Sequence, residues 1–511
     1  MGEIIRETYS AEALCQPQVL QVPVKEDVIV PDTREDVGRI LQCSAVYMPG
    51  DCVRERKRLR FEGSLEFTVL YREEGERERI HSLKTAVPVE ESLNLEGLAE
   101  DEDKLRYELN YEVENIRATL LNSRKISLGA LLEAQVQLSR QTELSVITGA
   151  EDEEELQFKR IREPGRRLVG DLKEKFIVRE TIPVKDGDPN ISEMLWWDCR
   201  IKDRRVRILS DRVEIKGEAG ICILYRNTAE DGIQFREVSV PFTGSADCPG
   251  AVGEDQQACV RLGIVHSYIR TAQDDDGEER LFETELVLEA SIRVYEEEER
   301  TLICDAYHIR QEAELTRAQC PLQHFVFCGE NDLEVTRPLE LPENGPELLQ
   351  IFYTAGRSRI DDCTVTENQV LIEGVLYVTV FYLTSPGRGP LASFEEAVPF
   401  SRTLMIPGAR EGQMIQAESR VEAITAVAAG DRRAELRAQL VLEICLTEEK
   451  KVPVLTELML REPDRETEIR RPSAALCFVD GEESLWDIAK RLRVRQDSLE
   501  RINDFTVLAL R

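Results

Sequence analysis

The chain is 511 residues long and carries 98 Asp and Glu against 66 Lys and Arg, a formal net charge of −32 at pH 7. A length this great exceeds what one hydrophobic core serves, and roughly 100–200 residues per domain points to several units. The acidic balance excludes a phosphate-reading surface, which needs concentrated positive charge, and disfavours passive adhesion to anionic lipid.

The opening stretch "MGEIIRETYSAEALCQPQ" carries charges throughout in place of a signal-type apolar run, and no later stretch is apolar enough to span a bilayer. The chain is therefore expected to stay in the compartment where it is made. Thirteen cysteines at scattered positions, some inside apolar strand patterns (Cys222, Cys445), leave at least one unpaired. That usage fits a reducing cytoplasm better than a disulfide scaffold.

In chain order, one set of strand and turn patterns recurs three times. The first copy opens with "VIVPDTREDVGRILQCSAVY" (28–47), then runs through "RLRFEGSLEFTVLY" (58–71), "AVPVEESLNLEG" (86–97) and the long alternation "ISLGALLEAQVQL" (126–138). The second has "TIPVKDGDPNISEMLWWDCRI" (181–201), "RVEIKGEAGICILY" (212–225), "SVPFTGSADCPG" (239–250) and "LFETELVLEASIRVY" (281–295). The third has "LELPENGPELLQIFYTAGR" (339–357), "QVLIEGVLYVTVFY" (369–382), "AVPFSRTLMIPG" (397–408) and "AELRAQLVLEICL" (434–446). The interval from Gly to Tyr is eight residues each time: Gly63 to Tyr71, Gly217 to Tyr225, Gly374 to Tyr382. Successive glycines lie 154 and 157 residues apart, which makes each copy a domain rather than a turn of a solenoid.

Period-two alternation, β-branched enrichment and turn chemistry predict a mainly β fold of three tandem antiparallel, sandwich-like repeats over 1–157, 170–315 and 330–462. In the third, Val370, Ile372, Gly374, Leu376, Val378 and Val380 share one face. The other face is also largely apolar, as in a strand covered on both sides. The repeated glycine is expected to mark a bulge or close backbone approach, and the Tyr to cap the edge of the core. Acidic runs at 151–155, 274–279 and 296–299, with the basic "FKRIREPGRR" (158–167) between them, read as solvated loops and linkers; head-to-tail charge matching in an assembly is the other reading.

After a polar linker over 463–474 the pattern changes. Leu476 and Phe478 alternate as a short strand, and Ser484 is placed to cap a helix whose Leu485, Ile488, Ala489 and Leu492 follow helical spacing. A second helix is expected from Asp497 or Ser498, with Leu499 and Ile502 inward and Asn503 at its end. On "DGEESLWDIAKRLRV" and "SLERIND" the segment 475–511 resembles a LysM domain, a small βααβ module. After Asn503 only "DFTVLALR" remains, so the last strand is short, shifted or missing. The resemblance implies binding of peptidoglycan or another N-acetylglucosamine polymer, and it places the groove at Gly481, Glu482, Ser484, Leu485, Asn503 and Asp504. Trp486 and Ile488 read as core.

The repeated "VIVPDTREDVGRIL", "EGSLEFTVLY" and "AVPVEESLNLEG" resemble the SPOCS domain of sporulation proteins, and three such units followed by a LysM resemble the spore-coat morphogenetic members of that family. The resemblance implies a structural adaptor at the forespore surface in the mother-cell cytoplasm, with a coat morphogenetic ATPase (SpoIVA-like) as partner.

Chemistry finds little support in the sequence. The four histidines, His81, His266, His308 and His324, sit in no metalloprotease or zinc array. The nearest approach is "CPLQHFVFC", with Cys320, His324 and Cys328, which reads as strand or loop with ordinary buried Cys. "SPGRGP" (385–390) is a hairpin turn rather than a phosphate loop. No catalytic residue, metal or cofactor is expected. The alternative to the adaptor is a peptidoglycan-binding cell-wall protein or hydrolase accessory.

Overall fold

In the computed structural model the strand alternations close into six antiparallel sheets, two for each sequence repeat. The structure describes all residues except 1–2, 16, 76–78, 96–104, 152–153, 230–231, 254, 344, 385–390, 463–482 and 504–511. In the first repeat β1 (Ile4–Leu14), β2 (Gln18–Ile29), β6 (Leu105–Asn122) and β7 (Lys125–Ala150) form one sheet; β3 (Val37–Glu55), β4 (Arg58–Glu73) and β5 (Ile80–Asn94) form the other. In the second, β8 (Leu156–Pro183), β13 (Glu279–His308) and β12 (Gln256–Gln273) face β9 (Ile191–Leu209), β10 (Arg212–Asn227) and β11 (Ile233–Asp247). In the third, β14 (Glu312–Glu340), β19 (Arg433–Arg461) and β18 (Met414–Ala428) face β15 (Leu348–Thr366), β16 (Gln369–Thr384) and β17 (Leu391–Met405). The predicted sandwich class holds in all three.

Each sandwich owns an apolar core. In the third, Val370, Ile372, Leu376, Val378 and Val380 point inward from β16 against Leu436, Leu440 and Leu442 of β19, as the alternation requires. The repeated glycine sits where the neighbouring strand shifts register: between Pro49 and Cys52 opposite Gly63, at Gly217 itself, and between Ile360 and Asp362 opposite Gly374. A Cβ there would lie 2.5 Å from the Met48 carbonyl oxygen at Gly63, 2.7 Å from the Phe242 ring at Gly217 and 2.6 Å from the Phe400 ring at Gly374. Close approach at a bulge, not backbone sign, therefore fixes the glycine. Tyr71, Tyr225 and Tyr382 are fully buried. The Tyr71 and Tyr382 hydroxyls donate to the carbonyls of Glu35 (3.4 Å) and Pro346 (3.2 Å), tying the turn before β3 and β15 to the core; Tyr225 uses the Gln234 side chain instead, at 2.5 Å.

The closing strands run on past the sequence motifs that predicted them. Residues 139–150 of β7, 297–308 of β13 and 447–461 of β19 leave their sandwiches as two-stranded ribbons with β1, β8 and β14. The three central strands touch one another in every pairing. Their shared core holds Val146 and Ile147, Leu302 and Ile303, and Val454 and Leu455. At the far side of the body a second shared core joins Leu70, Leu224 and Phe381, the residues just before the three tyrosines, with Ile80, Leu391 and partly buried Ile233. Arg72 donates to the Leu391 carbonyl at 3.5 Å and the equivalent Arg226 to the Ile80 carbonyl at 3.4 Å. Leu383 stands at the third position, so this ring of cross-repeat bonds is made twice. The three repeats thus surround a pseudo-threefold axis.

Two sequence expectations change here. The acidic run 296–299 is not a loop but part of β13, and the basic stretch 158–167 lies in β8 opposite it, with Glu296 beside Arg167 and Glu297 beside Arg166. Charge is matched across adjacent strands of one repeat. Residues 158–169 and 316–329, left outside the three expected domains, are continuous strand in β8 and β14. The hairpin turn expected at 385–390 lies outside the described residues.

Gly374→Ala tests the bulge. Crowding between Phe400 and β15 should lower the unfolding free energy by about 1–3 kcal/mol, read as a shifted denaturant midpoint with unchanged slope.

Candidate functional site

The two described helices are α1 (Leu485–Leu492) and α2 (Gln496–Asn503). Ser484 N-caps α1 through a reciprocal capping box with Asp487, and Arg493 ends it in the left-handed conformation, φ 51°. Asp487 is held below the usual carboxylate range by its hydrogen bonds to Ser484. The Ser484 hydroxyl is thereby spent on helix capping.

The helix pair completes its core on the end of β13 rather than within itself. Trp486 and Ala489 are buried with Tyr307, and Leu499 of α2 packs against them; the Tyr307 and Trp486 rings meet edge to face at 4.9 Å. The Trp486 indole donates to Asp305 at 2.8 Å, Lys490 reaches the same carboxylate at 2.7 Å, and the Tyr307 hydroxyl donates to the Val494 carbonyl at 2.7 Å. Arg493 pairs with Glu312 at 3.3 Å. Burial alone would raise the Asp305 carboxyl, but the bonds from Lys490 and Trp486 outweigh it and hold the group below its ordinary range. The Tyr307 phenol is pushed up to about 12 by burial.

Of the six expected groove residues, Ser484 is the exposed cap, Leu485 is half-buried and Asn503 closes α2. Gly481, Glu482 and Asp504 lie outside the described residues, as do the strand at Leu476 and Phe478 and the linker 463–474. Ile502, expected inward, is 76% exposed, because α2 turns only Leu499 toward β13. Trp486 is core as expected, though the core is one it shares with β13. Asp305, Tyr307 and Glu312 carry the docking, yet each is nearly 200 residues from its partner; pattern reading gives them no mark beyond membership of strand alternation.

A second candidate is the cleft around the axis, about 620 Å³, lined by Glu108, Asn110 and Glu112 of β6, Arg261 of β12, Arg357 and Arg359 of β15 and Glu418 of β18. Its charges are already paired across repeats. Arg261 bonds Glu108 at 2.9 Å and also contacts Glu418, and Arg359 pairs with Glu114. Burial works against the Arg261 charge, but Glu418 and Glu108 more than offset it and raise the guanidinium further. Such a cleft locks subunits of a fold together and offers no nucleophile with a base beside it. The stretch "CPLQHFVFC", expected as strand or loop with ordinary buried Cys, is strand in β14. Cys320 is buried in the ribbon core, away from Cys328, whose sulfur lies instead beside that of Cys259 at 3.8 Å.

With this geometry in view, the family model described as SipL, SPOCS domain matches three segments, 36–121, 190–270 and 347–428. The chain carries three SPOCS regions. Each match begins near the first strand of the sheet β3–β5, β9–β11 or β15–β17 and ends on the strand that follows that sheet, β6, β12 or β18. No match covers the helix pair, which leaves the LysM likeness resting on sequence resemblance alone. No curated protein and no solved structure matches the chain.

Asp305→Asn should undock α1. Losing the charge-assisted bond to Lys490 weakens that contact by about 1.5–3 kcal/mol, seen as faster amide exchange over 485–492 with the sheets unchanged. The same contact is pH-dependent. A carboxyl whose folded pKa is depressed contributes stability that is present above its unfolded value, about 4, and is lost as pH falls through the lower folded value. Docking should therefore be pH-independent from neutral down to about pH 4 and weaken only below it in the wild type, and respond less there in D305N, where the Asp487 cap still titrates.

Proposed function

We propose that the chain is a non-enzymatic structural adaptor in endospore coat assembly, binding a coat morphogenetic protein of SpoIVA type and tethering coat to the forespore surface from the mother-cell cytoplasm. The observation that carries this reading is the triple SPOCS match, a sporulation-domain family rather than an enzyme family, borne on three sandwiches that share cores at both ends of one axis. Repetition of a β module around an axis multiplies binding edges without adding a reaction. No described helix is long and apolar enough to cross a membrane, so attachment to the forespore in this reading runs through protein contacts. We place the partner contact on the docked helix pair, where Leu485 is half-buried and Ile502 stands exposed. An acidic surface then favours a basic face on the partner and speeds encounter.

Two measurements test this. A fluorescent fusion in a sporulating cell should form a ring around the forespore; uniform cytoplasmic signal would overturn the reading. In pull-downs, the full chain should retain the morphogenetic protein and lose at least about tenfold in affinity with Ile502→Asp, the scale of one buried apolar contact. Retention on insoluble peptidoglycan, with no binding to the coat protein, would instead support a cell-wall role.

A further inference from the structure

The junctions between repeats carry different chemistry at one register position. On the strands that flank the axis, Glu108 stands opposite Gln137, Cys259 opposite Arg293 and Gln416 opposite Cys445, so Glu108, Cys259 and Gln416 are equivalents. Asp171 also stands opposite Arg293, and Cys328 opposite Cys445. Where the first repeat meets the second, this position holds an ionic clamp, with Arg293 3.7 Å from Asp171 and 4.0 Å from Glu108. Where the second meets the third, the same position holds Cys259, Cys328 and Cys445.

The three sulfurs lie within 4.8 Å of one another, and Cys259 and Cys328 are 3.8 Å apart. Tetrahedral coordination with metal–sulfur bonds of about 2.3 Å puts ligand sulfurs about 3.8 Å apart. A disulfide would need about 2.05 Å and would use only two of the three. The thiols line a cleft of about 500 Å³ that also receives Arg166, whose guanidinium lies 4.5 Å from the Tyr295 and Phe325 rings. Three neutral thiols cannot clamp a junction as the Asp–Arg–Glu set does; three thiolates around a divalent cation, with a guanidinium near, can. All the described cysteines are free.

We propose that Cys259, Cys328 and Cys445 form a three-thiolate site for a thiophilic divalent cation of the zinc class, which clips the second repeat to the third. Binding releases the thiol protons to solvent, and the fourth position opens into the cleft. The site is independent of the adaptor reading.

The full chain, reduced, stripped with chelator and kept anaerobic, is titrated with Co²⁺ alone. A sulfur-to-cobalt charge-transfer band should saturate at one equivalent and be displaced by Zn²⁺. Cys259→Ser and Cys445→Ser should each weaken binding at least about tenfold, whereas Cys222→Ser, outside the cluster, should not. Zn²⁺ should raise the unfolding temperature of the wild type and not of C259S. Because β12 is an outer strand of its sheet, C259S remains decisive should C445S fail to fold. Absence of a saturable band from the reduced wild type, or a band that survives in C259S at unchanged affinity, overturns the proposal.

Discussion

Everything in this molecule hangs on three strands that are too long for their own sandwiches. β7, β13 and β19 each continue past the point where their facing sheet ends, and the surplus has an apolar stripe with nothing of its own to cover it. Burying Leu302, Leu455 or Ile147 contributes roughly 1.5–3 kcal/mol per side chain, and only the other two ribbons are in position to do it. The same logic acts at the opposite end, where Leu70, Leu224 and Phe381 leave the outer face of a central strand and meet on the axis. Two shared cores at two ends turn a tandem array into one closed body. A string of beads would have exposed both stripes.

A chain this acidic holds together because its charges are locally answered. The run at 296–299 lies against the basic stretch of β8, and Arg261 is shared between carboxylates of two other repeats. Such pairs add little net stability where water reaches them. They act on arrangement: an Arg desolvated at a junction must meet its carboxylates there or leave an uncompensated charge, which selects one rotation of each sandwich about the axis.

Period-two alternation and the eight-residue interval from Gly to Tyr made the repeat and the sandwich class legible, because each repeat folds its own core from local patterns. The glycine was legible too, since a residue with no side chain in a strand signals a bulge. What the sequence hid lies between repeats. Asp305 and Tyr307 look like any strand residues until β13 is seen to end beneath α1, and Ile502 follows helical spacing toward a core that α2 meets only with Leu499. The acidic run of β13 was misplaced for a related reason: four consecutive glutamates suggest loop, and only the opposing arginines make them strand. Of the expected groove, Ser484 was read correctly as a helix cap; no local pattern tells whether such a cap also meets a ligand.

The copies differ most where they touch, and that distribution bears on function. Inside each sandwich the Gly, the Tyr and the inward alternation are kept three times over. At the junctions one position is Arg, Arg and Leu, another is Glu, Cys and Gln, and only the second repeat ends in the Asp and Tyr that seat the helices. A body with true threefold symmetry would present three identical faces. Breaking it at the axis gives each face a different edge while leaving the cores interchangeable, so one end of one ribbon can hold the helix pair in a fixed orientation. For the adaptor role proposed above, a distinguishable face is the useful product of that asymmetry.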